Sequence, residues 1–232
     1  MSIKIRKNPF ENGSVITRYI CPTPRPFNDE FVNYRYARDL AENITHADSV
    51  RVHCIVNGSF IFGDFIEAFL VKNNILATKM TLSTLSFSQN NIDSLKTLME
   101  KGYIDRLNIL VSDYFFSHEH RNLIKYAYSQ LDNENNTFTL AKERNHCKVS
   151  IFATDDGRHY VIHGSSNLRS SDNYEQICFE ENKELYDFYD RFFSEIIEKR
   201  NTINKMAKYS KDAFELKEEK KIIDTAGYDD NE

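Results

Sequence analysis

The stretch "RNHCKVSIFATDDGRHYVIHGSSNLRSSDNYEQ" (residues 144–176) has the pattern of a β-hairpin with polar side chains at its base. Two arms rich in apolar residues flank Asp156-Gly157, which is a strong two-residue turn signal because glycine tolerates positive φ. The stretch therefore predicts two antiparallel strands that begin and end with a histidine, a lysine, a serine and an asparagine.

A turn centred on Asp156-Gly157 places Lys148 opposite Ser165 and His146 opposite Asn167. Side chains alternate between the two faces of a strand, so these polar residues share one face. The other face is expected to be the core side, and it carries Val149, Ile151, Tyr160 and Ile162.

Such a cluster suits phosphoryl chemistry. A neutral His146 imidazole can attack phosphorus and form a covalent intermediate, and Lys148 offers a point positive charge for the phosphoryl oxygens. Ser165 and Asn167 can donate hydrogen bonds to the same oxygens as charge develops. Glu175, on the following strand, can hold a histidine nitrogen in one tautomer. These five residues are the predicted catalytic group.

Residues around this group are assigned to substrate binding. Gly164 has no side chain, which lets a ligand or a second backbone come close, and Ser166 lies beside it in the same segment. Arg169 follows closely and can reach a substrate phosphate, although a surface ion pair is an equal alternative. His163 either flanks the site or is an ordinary hairpin residue, and the second interpretation is favoured.

The pattern of His146-Cys147-Lys148, Gly164-Ser165-Ser166-Asn167 and Glu175 resembles the HxK…GSxN…E signature of the phospholipase D superfamily. It is most similar to the nuclease-like members that carry a single motif, and the resemblance covers residues 144–181. The sequence departs from the family at Ala153, where the family usually has Asp, and in a hairpin about four residues longer than usual.

The resemblance implies a phospholipase D-like fold and a two-fold homodimer in which each subunit gives one HxK to a shared site. One histidine is then the nucleophile and the other protonates the leaving oxygen. It also implies phosphodiester hydrolysis without a cofactor, so neither a cofactor nor a catalytic metal is expected.

Composition restricts the substrates and the compartment. Of 232 residues 41% are hydrophobic, which is enough for a sizeable core, and the net charge is −5. A nucleic-acid substrate must therefore be held in a local groove, because the chain lacks the basic excess of a protein that coats nucleic acid. Scattered cysteines, no apolar leader and no long apolar run favour a cytoplasmic protein with no membrane partner. The four cysteines are Cys21, Cys54, Cys147 and Cys178.

Periodicity along the chain predicts an α/β protein with a mixed β-sheet flanked by helices. Strands are predicted over residues 14–21, 49–56, 75–82, 106–112, 137–143 and 174–181. Helices are predicted over residues 29–43, from 64, over 90–103, over 117–131 with Ser117 as N-cap, and over 183–207. The stripe of that long C-terminal helix is Leu185, Phe188, Phe192, Ile196, Ile203 and Met206.

Two regions follow from this organisation. Residues 1–209 are predicted to form a phospholipase D-like catalytic domain. Residues 210–232 are predicted to form a polar, flexible and acidic tail, since residues 211–232 hold four lysines against eight acidic residues.

The leading hypothesis is a metal-independent phosphodiesterase of the nuclease type that works through a phosphohistidine in a homodimer. Its expected partner is nucleic acid, with DNA favoured over RNA; a phospholipid is disfavoured because no interfacial amphipathic segment and no tryptophan occur. The alternative is a catalytically degenerate protein of the same fold that binds nucleic acid or acts as a scaffold.

Overall fold

A computed structural model describes residues 26–57, 60–169 and 173–200. Within these ranges the chain is an α/β protein built on one mixed sheet with helices on both faces. The predicted fold class, a mixed sheet flanked by helices, is confirmed.

The described residues contribute eight strands to the sheet. They are β1 Asn28–Tyr34, β2 Val50–Val56, β3 Ala77–Ser83, β4 Leu107–Ser112, β5 Phe138–Glu143, β6 Val149–Thr154, β7 His159–Gly164 and β8 Glu175–Glu181. The strand order is β1-β2-β8-β7-β6-β3-β4-β5. Antiparallel pairs join β2 to β8, β8 to β7, β7 to β6 and β6 to β3, and the outer pairs are parallel.

Helices cover the two faces unequally. They are α1 Ala37–Asn43, α2 Phe62–Lys72, α3 Gln89–Glu100, α4 Asp113–Glu119, α5 Leu123–Leu131 and α6 Lys183–Arg200. In the larger core, the five helices from α1 through α5 pack against one face of the sheet, and this core is rich in phenylalanine. The smaller core packs α6 against β4, β5, β6 and β7 through Tyr186, Phe193, Ile196 and Ile197. Apolar burial on both faces explains why all six residues of β4 are buried.

The first predicted helix is wrong in its N-terminal half. Residues 29–43 were expected to be helical, but the segment splits into β1 and α1. In β1, Val32 and Tyr34 pack against the larger core while Phe31 is exposed, so the apolar residues that fit a helical stripe also fit an alternating edge strand. The strand predicted over residues 14–21 lies outside the described residues.

The helix predicted over 117–131 is also divided. The chain enters α4 directly after β4, with the Ser112 hydroxyl accepting from Phe115 N at 3.0 Å, so Ser112 rather than Ser117 is the N-cap. The helix ends near His120, and α5 starts after Asn122.

The hairpin turn differs from the prediction by one residue. Val149 pairs with His163, and the backbone N of Thr154 donates to Arg158 O at 3.0 Å. The loop therefore has three residues, 155–157, with Gly157 at φ 85°. Glycine in the left-handed region is the usual end of a three-residue hairpin loop.

The new register changes which side chains share a face. Val149 and Ile151 pack with α6, whereas Tyr160 and Ile162 belong to the larger core, so the single predicted core face is wrong. Gly164, not Ser165, lies beside Lys148, with Gly164 N donating to Lys148 O at 3.1 Å.

The C-terminal helix is confirmed as far as Arg200. Its buried face is centred on Tyr186, Phe193, Ile196 and Ile197, about one position from the predicted stripe, while Leu185 and Phe192 are partly buried at its border. The predicted tail and the helix end beyond Arg200 lie outside the described residues. No helix in the described part of the chain has the length and apolar character needed to cross a membrane.

Candidate active site

One edge of the sheet collects the predicted site residues. His146 and Lys148 come directly before β6, Ser165 and Asn167 come directly after β7, and Glu175 opens β8. Since β6 and β8 run antiparallel to β7, these strand ends meet at the same edge. The topology thus brings all five predicted catalytic residues to one end of the molecule.

His146 and Lys148 are in direct contact. Lys148 Nζ lies 3.3 Å from His146 Nδ1 and donates to the His146 backbone oxygen at 3.2 Å. Partial burial lowers the pKa of Lys148, while the nearby negative charges of Glu175 and of the Cys147 thiolate form act in the opposite direction. An ammonium that is partly desolvated gains more from an anionic ligand than a fully hydrated one.

Ser165 and Glu175 form the second contact of the site. The Ser165 hydroxyl donates to the Glu175 carboxylate and accepts from Gln176 N at 3.0 Å. Ser165 N donates to Gln176 O at 2.9 Å. Ser165 is therefore held by both its backbone and its side chain to the first two residues of β8, and it is exposed.

Asn167 is hydrogen-bonded to the loop that follows β3. Its Oδ1 accepts from Leu85 N at 3.1 Å, and Thr84 Oγ1, which donates to Ser86 O at 2.9 Å, lies 3.5 Å from it. Thr84 Oγ1 in turn accepts from Leu168 N at 3.3 Å. Because the amide oxygen of Asn167 binds the loop after β3, its Nδ2 is the group left to donate to a ligand.

The three residues assigned to substrate binding differ in exposure. Arg169 is exposed, whereas Ser166 is buried, so the substrate contact predicted for Ser166 stays a prediction that its burial does not favour. A Cβ at Gly164 would lie 2.1 Å from Gln176 O. Of the two reasons considered for glycine there, close approach of a second backbone is the one observed.

Sequence reasoning missed Asn145, which precedes the histidine. Asn145 Nδ2 donates to Ser83 Oγ at 3.0 Å, and Asn145 Oδ1 accepts from Cys147 N at 3.0 Å. Ser83 Oγ then donates to Cys147 O at 3.0 Å. This closed set of bonds fixes the backbone on both sides of His146 to the end of β3. The only sequence signal was an Asx residue just before a strand, which is typical of a local turn.

Ala153 lies at the far end of β6 from the site. It stands opposite Lys79 of β3, and Lys79 Nζ donates to Asp190 Oδ1 of α6 at 2.7 Å. Five residues along a strand correspond to about 16 Å, so position 153 is well removed from Lys148. The carboxylate partner of Lys79 comes from α6.

His163 does not flank the site. It is opposite Val149, a residue of the smaller core, and its Nε2 lies 3.8 Å from Glu180 Oε1. The favoured interpretation, a hairpin residue outside the catalytic group, agrees with this position.

Comparison with known proteins gives similarity at the level of structure. No family model matches the chain, and no curated protein sequence matches it. Nuc from Salmonella typhimurium, a phospholipase D family member, is 17% identical with a TM-score of 0.39, and the match covers 55% of this chain and 82% of Nuc.

Two larger proteins match over part of their length. Polyphosphate kinase from Porphyromonas gingivalis is 10% identical with a TM-score of 0.49, covering 65% of this chain and 26% of the kinase. Phosphatidylserine synthase from Haemophilus influenzae Rd KW20 is 15% identical with a TM-score of 0.46, covering 81% of this chain and 51% of the synthase. At these identities and TM-scores the matches assign no activity, and what the chain does has to be inferred from its own residues.

Proposed function

We propose that the chain is a metal-independent phosphodiesterase that cleaves nucleic acid, with DNA favoured over RNA, through a phosphohistidine on His146. The observation that carries the proposal is the meeting of two pairs at one sheet edge, His146 with Lys148 and Ser165 with Glu175. A nucleophile, a cation and a hydroxyl that can turn from Glu175 to a phosphoryl oxygen are groups that phosphoryl transfer can use when no metal ion supplies charge.

The first step begins with a change of partner for Lys148. In the ligand-free arrangement its ammonium can only donate, so Nδ1 of neutral His146 accepts and the ring proton is on Nε2. A phosphodiester is a stronger acceptor than imidazole, so the ammonium turns to the phosphoryl oxygens. The ring proton then moves to Nδ1, and the Nε2 lone pair attacks phosphorus as the bond to the leaving oxygen breaks.

The second histidine acts as an acid in the first step and as a base in the second. In a two-fold homodimer the His146 of the second subunit, in its imidazolium form, gives a proton to the leaving oxygen. The same imidazole then takes a proton from water as the water oxygen attacks phosphorus and the phosphorus–nitrogen bond breaks. The products are an alcohol end and a phosphate monoester; the nucleophilic histidine is again neutral, and the second histidine is again an imidazolium.

Exposed side chains around the edge favour a polymeric substrate. Tyr174, next to Glu175, is 82% exposed, and Arg144 and Arg169 are exposed on the loops that carry His146 and Asn167. Arginine binds backbone phosphates, and an exposed tyrosine ring can stack on an unpaired base. These local groups offset the net negative charge of the chain.

The test is hydrolysis of bis(p-nitrophenyl) phosphate in excess EDTA by the full chain. The wild type and the matched control His159→Ala, a histidine at the other end of β7, are expected to turn over. His146→Ala is expected to lose activity by at least about 1,000-fold, as removal of a nucleophile does. Acid-quenched wild type should carry a covalent phosphorus adduct on His146. The rates of hydrolysis of single- and double-stranded DNA and RNA oligonucleotides then rank the substrates.

The shared site is tested by mixing subunits. If each active centre needs two His146 side chains, excess His146→Ala protein should inhibit the wild type beyond simple dilution once the dimers have exchanged. A folded dimer that binds oligonucleotides but neither turns over nor traps phosphohistidine would instead establish the binding or scaffold alternative. Activity abolished by EDTA at a temperature where the fold is intact would overturn the metal-independent chemistry.

A further inference from the structure

A second cluster of ligand-type side chains lies on the sheet face that α6 covers. His163 of β7 and Cys178 of β8 are directly opposite each other, and Glu180 is two residues further along β8 on the same face. The imidazole, thiol and carboxylate ligand atoms all lie within 4.8 Å of one another. None of the three has a role in the proposed reaction.

We propose that His163, Cys178 and Glu180 bind a divalent transition-metal ion, zinc above all, that joins β7 to β8. Thiolate sulfur, imidazole nitrogen and carboxylate oxygen are the three ligand types that zinc takes in proteins. The thiolate disfavours magnesium and calcium, which prefer oxygen alone. Three protein ligands leave a fourth position for water on the side where His163 is 35% exposed.

The surroundings of Glu180 orient its carboxylate for such a role. Asn182 Nδ2 donates to Oε2 at 2.9 Å, and Arg51 donates to the same oxygen at 3.4 Å. The other oxygen, Oε1, is the one that faces His163 at 3.8 Å. One oxygen held by hydrogen bonds and one aimed at the cluster is the outer-shell arrangement of a ligating carboxylate.

The rival explanation is a buried ion pair without metal. Glu180 is 1% exposed, and Arg51 with a protonated His163 would satisfy its charge. Cys178 separates the two explanations, because a thiol contributes little to an ion pair and is the strongest zinc ligand of the three. Metal binding forms a metal–sulfur bond and releases the thiol proton to solvent. Two anionic ligands then balance the ion, and Asp29, 4.0 Å from Arg51, balances the guanidinium.

The consequence is mechanical rather than catalytic. β7 leads into Ser165 and β8 begins with Glu175, so a cross-link between the strands stabilises the pair that holds the hydroxyl donor. Metal removal should lower the melting temperature while the folded protein keeps its phosphodiesterase turnover, and this separates the inference from the proposed function.

The test is cobalt titration of the full chain after EDTA stripping and dialysis, followed by the near-ultraviolet thiolate-to-cobalt charge-transfer band. The wild type should show the band at one cobalt per chain, and Cys178→Ser should lose it. His163→Gln should weaken binding at least about tenfold. The controls are Cys54→Ser, a buried cysteine of β2 in the larger core, and His159→Gln, on the same strand and face as His163; both should keep the band.

The melting temperature with and without zinc provides the second readout. It also shows whether a variant has lost its fold. At a hundredfold excess over its Kd, zinc should raise the melting temperature of wild type and Cys54→Ser by about 5 °C or more. Cys178→Ser should not respond. A band that persists in Cys178→Ser, or a wild type with neither band nor zinc-dependent melting, would overturn the metal site and leave the ion pair.

Discussion

The Ser165 hydroxyl donates to the Glu175 carboxylate across the ends of β7 and β8. The same carboxylate favours the charged form of Lys148, so a single acidic residue connects the hydroxyl donor with the cation of the candidate site. Sequence reasoning gave Glu175 a different task, the orientation of a histidine. The orientation of a histidine stays a prediction, and the bond to Ser165 makes a further contribution of Glu175 measurable.

Glu175→Gln should therefore change both rate and pH dependence. Loss of a charge-assisted hydrogen bond should lower kcat/KM about 10- to 100-fold. Lys148 binds the phosphoryl oxygens as a cation, so the affinity for a non-hydrolysable phosphodiester analogue falls as pH rises through the pKa of Lys148, which burial lowers. Removing Glu175 takes away an influence that raises this pKa. The fall in affinity should consequently begin at lower pH in Glu175→Gln, whereas Glu184→Gln on α6 should leave it unchanged. An affinity profile that stays in place or moves to higher pH would contradict the proposed coupling.

Asn145 is expected to act as a positioning residue for His146. Asn145→Ala removes the bonds to Ser83 and Cys147, so kcat should fall about tenfold or more while KM changes little. Asn145→Asp keeps the acceptor for Cys147 N and should be intermediate. Asn135→Ala, in the loop before β5 at the opposite edge, is the control. A lower melting temperature for Asn145→Ala, with no loss of kcat at a temperature where the variant is fully folded, would show a purely structural role.

Glycine substitutions should separate close packing from backbone conformation. At Gly164 an added Cβ meets the Gln176 and Ile177 backbone at 2.1 and 2.9 Å, so Gly164→Ala must push β7 and β8 apart. We expect a loss of about 3 kcal/mol in the free energy of unfolding together with loss of activity. Gly157→Ala meets no atom within 4 Å but sits at φ 85°, and should cost about 1–2 kcal/mol with activity retained. Urea unfolding measures both, and a larger cost at Gly157 would refute this ranking.

The sequence predicted the fold class and the meeting of the five polar residues at one end of the sheet, since periodicity and the ends of the hairpin are local signals. It did not predict the hairpin register, because Asp-Gly fits either a two-residue turn or the end of a three-residue loop. Val32 and Tyr34 suit both a helical stripe and an edge strand, and pairing with β2 decides between them. The bonds of Asn145 and Thr84 depend on the end of β3, more than 60 residues away from Asn145, which no local pattern encodes.

The last prediction concerns Ala153, where the sequence departs from the family pattern. Its cross-strand neighbour Lys79 already pairs with Asp190, and position 153 is about 16 Å from Lys148 along the strand. Ala153→Asp should therefore leave turnover within about twofold of wild type, because ion pairs at this distance are screened from the site.

Stability should respond where activity does not. Asp190→Asn should cost about 1 kcal/mol, as a partly exposed ion pair does, and adding Ala153→Asp should recover part of that loss by giving Lys79 a new carboxylate partner. Chemical denaturation of the two single variants and the double variant measures this coupling, and hydrolysis of bis(p-nitrophenyl) phosphate measures turnover in parallel. A tenfold rise in turnover on Ala153→Asp would mean that the missing carboxylate limits catalysis, and that position 153 acts on the site despite its distance.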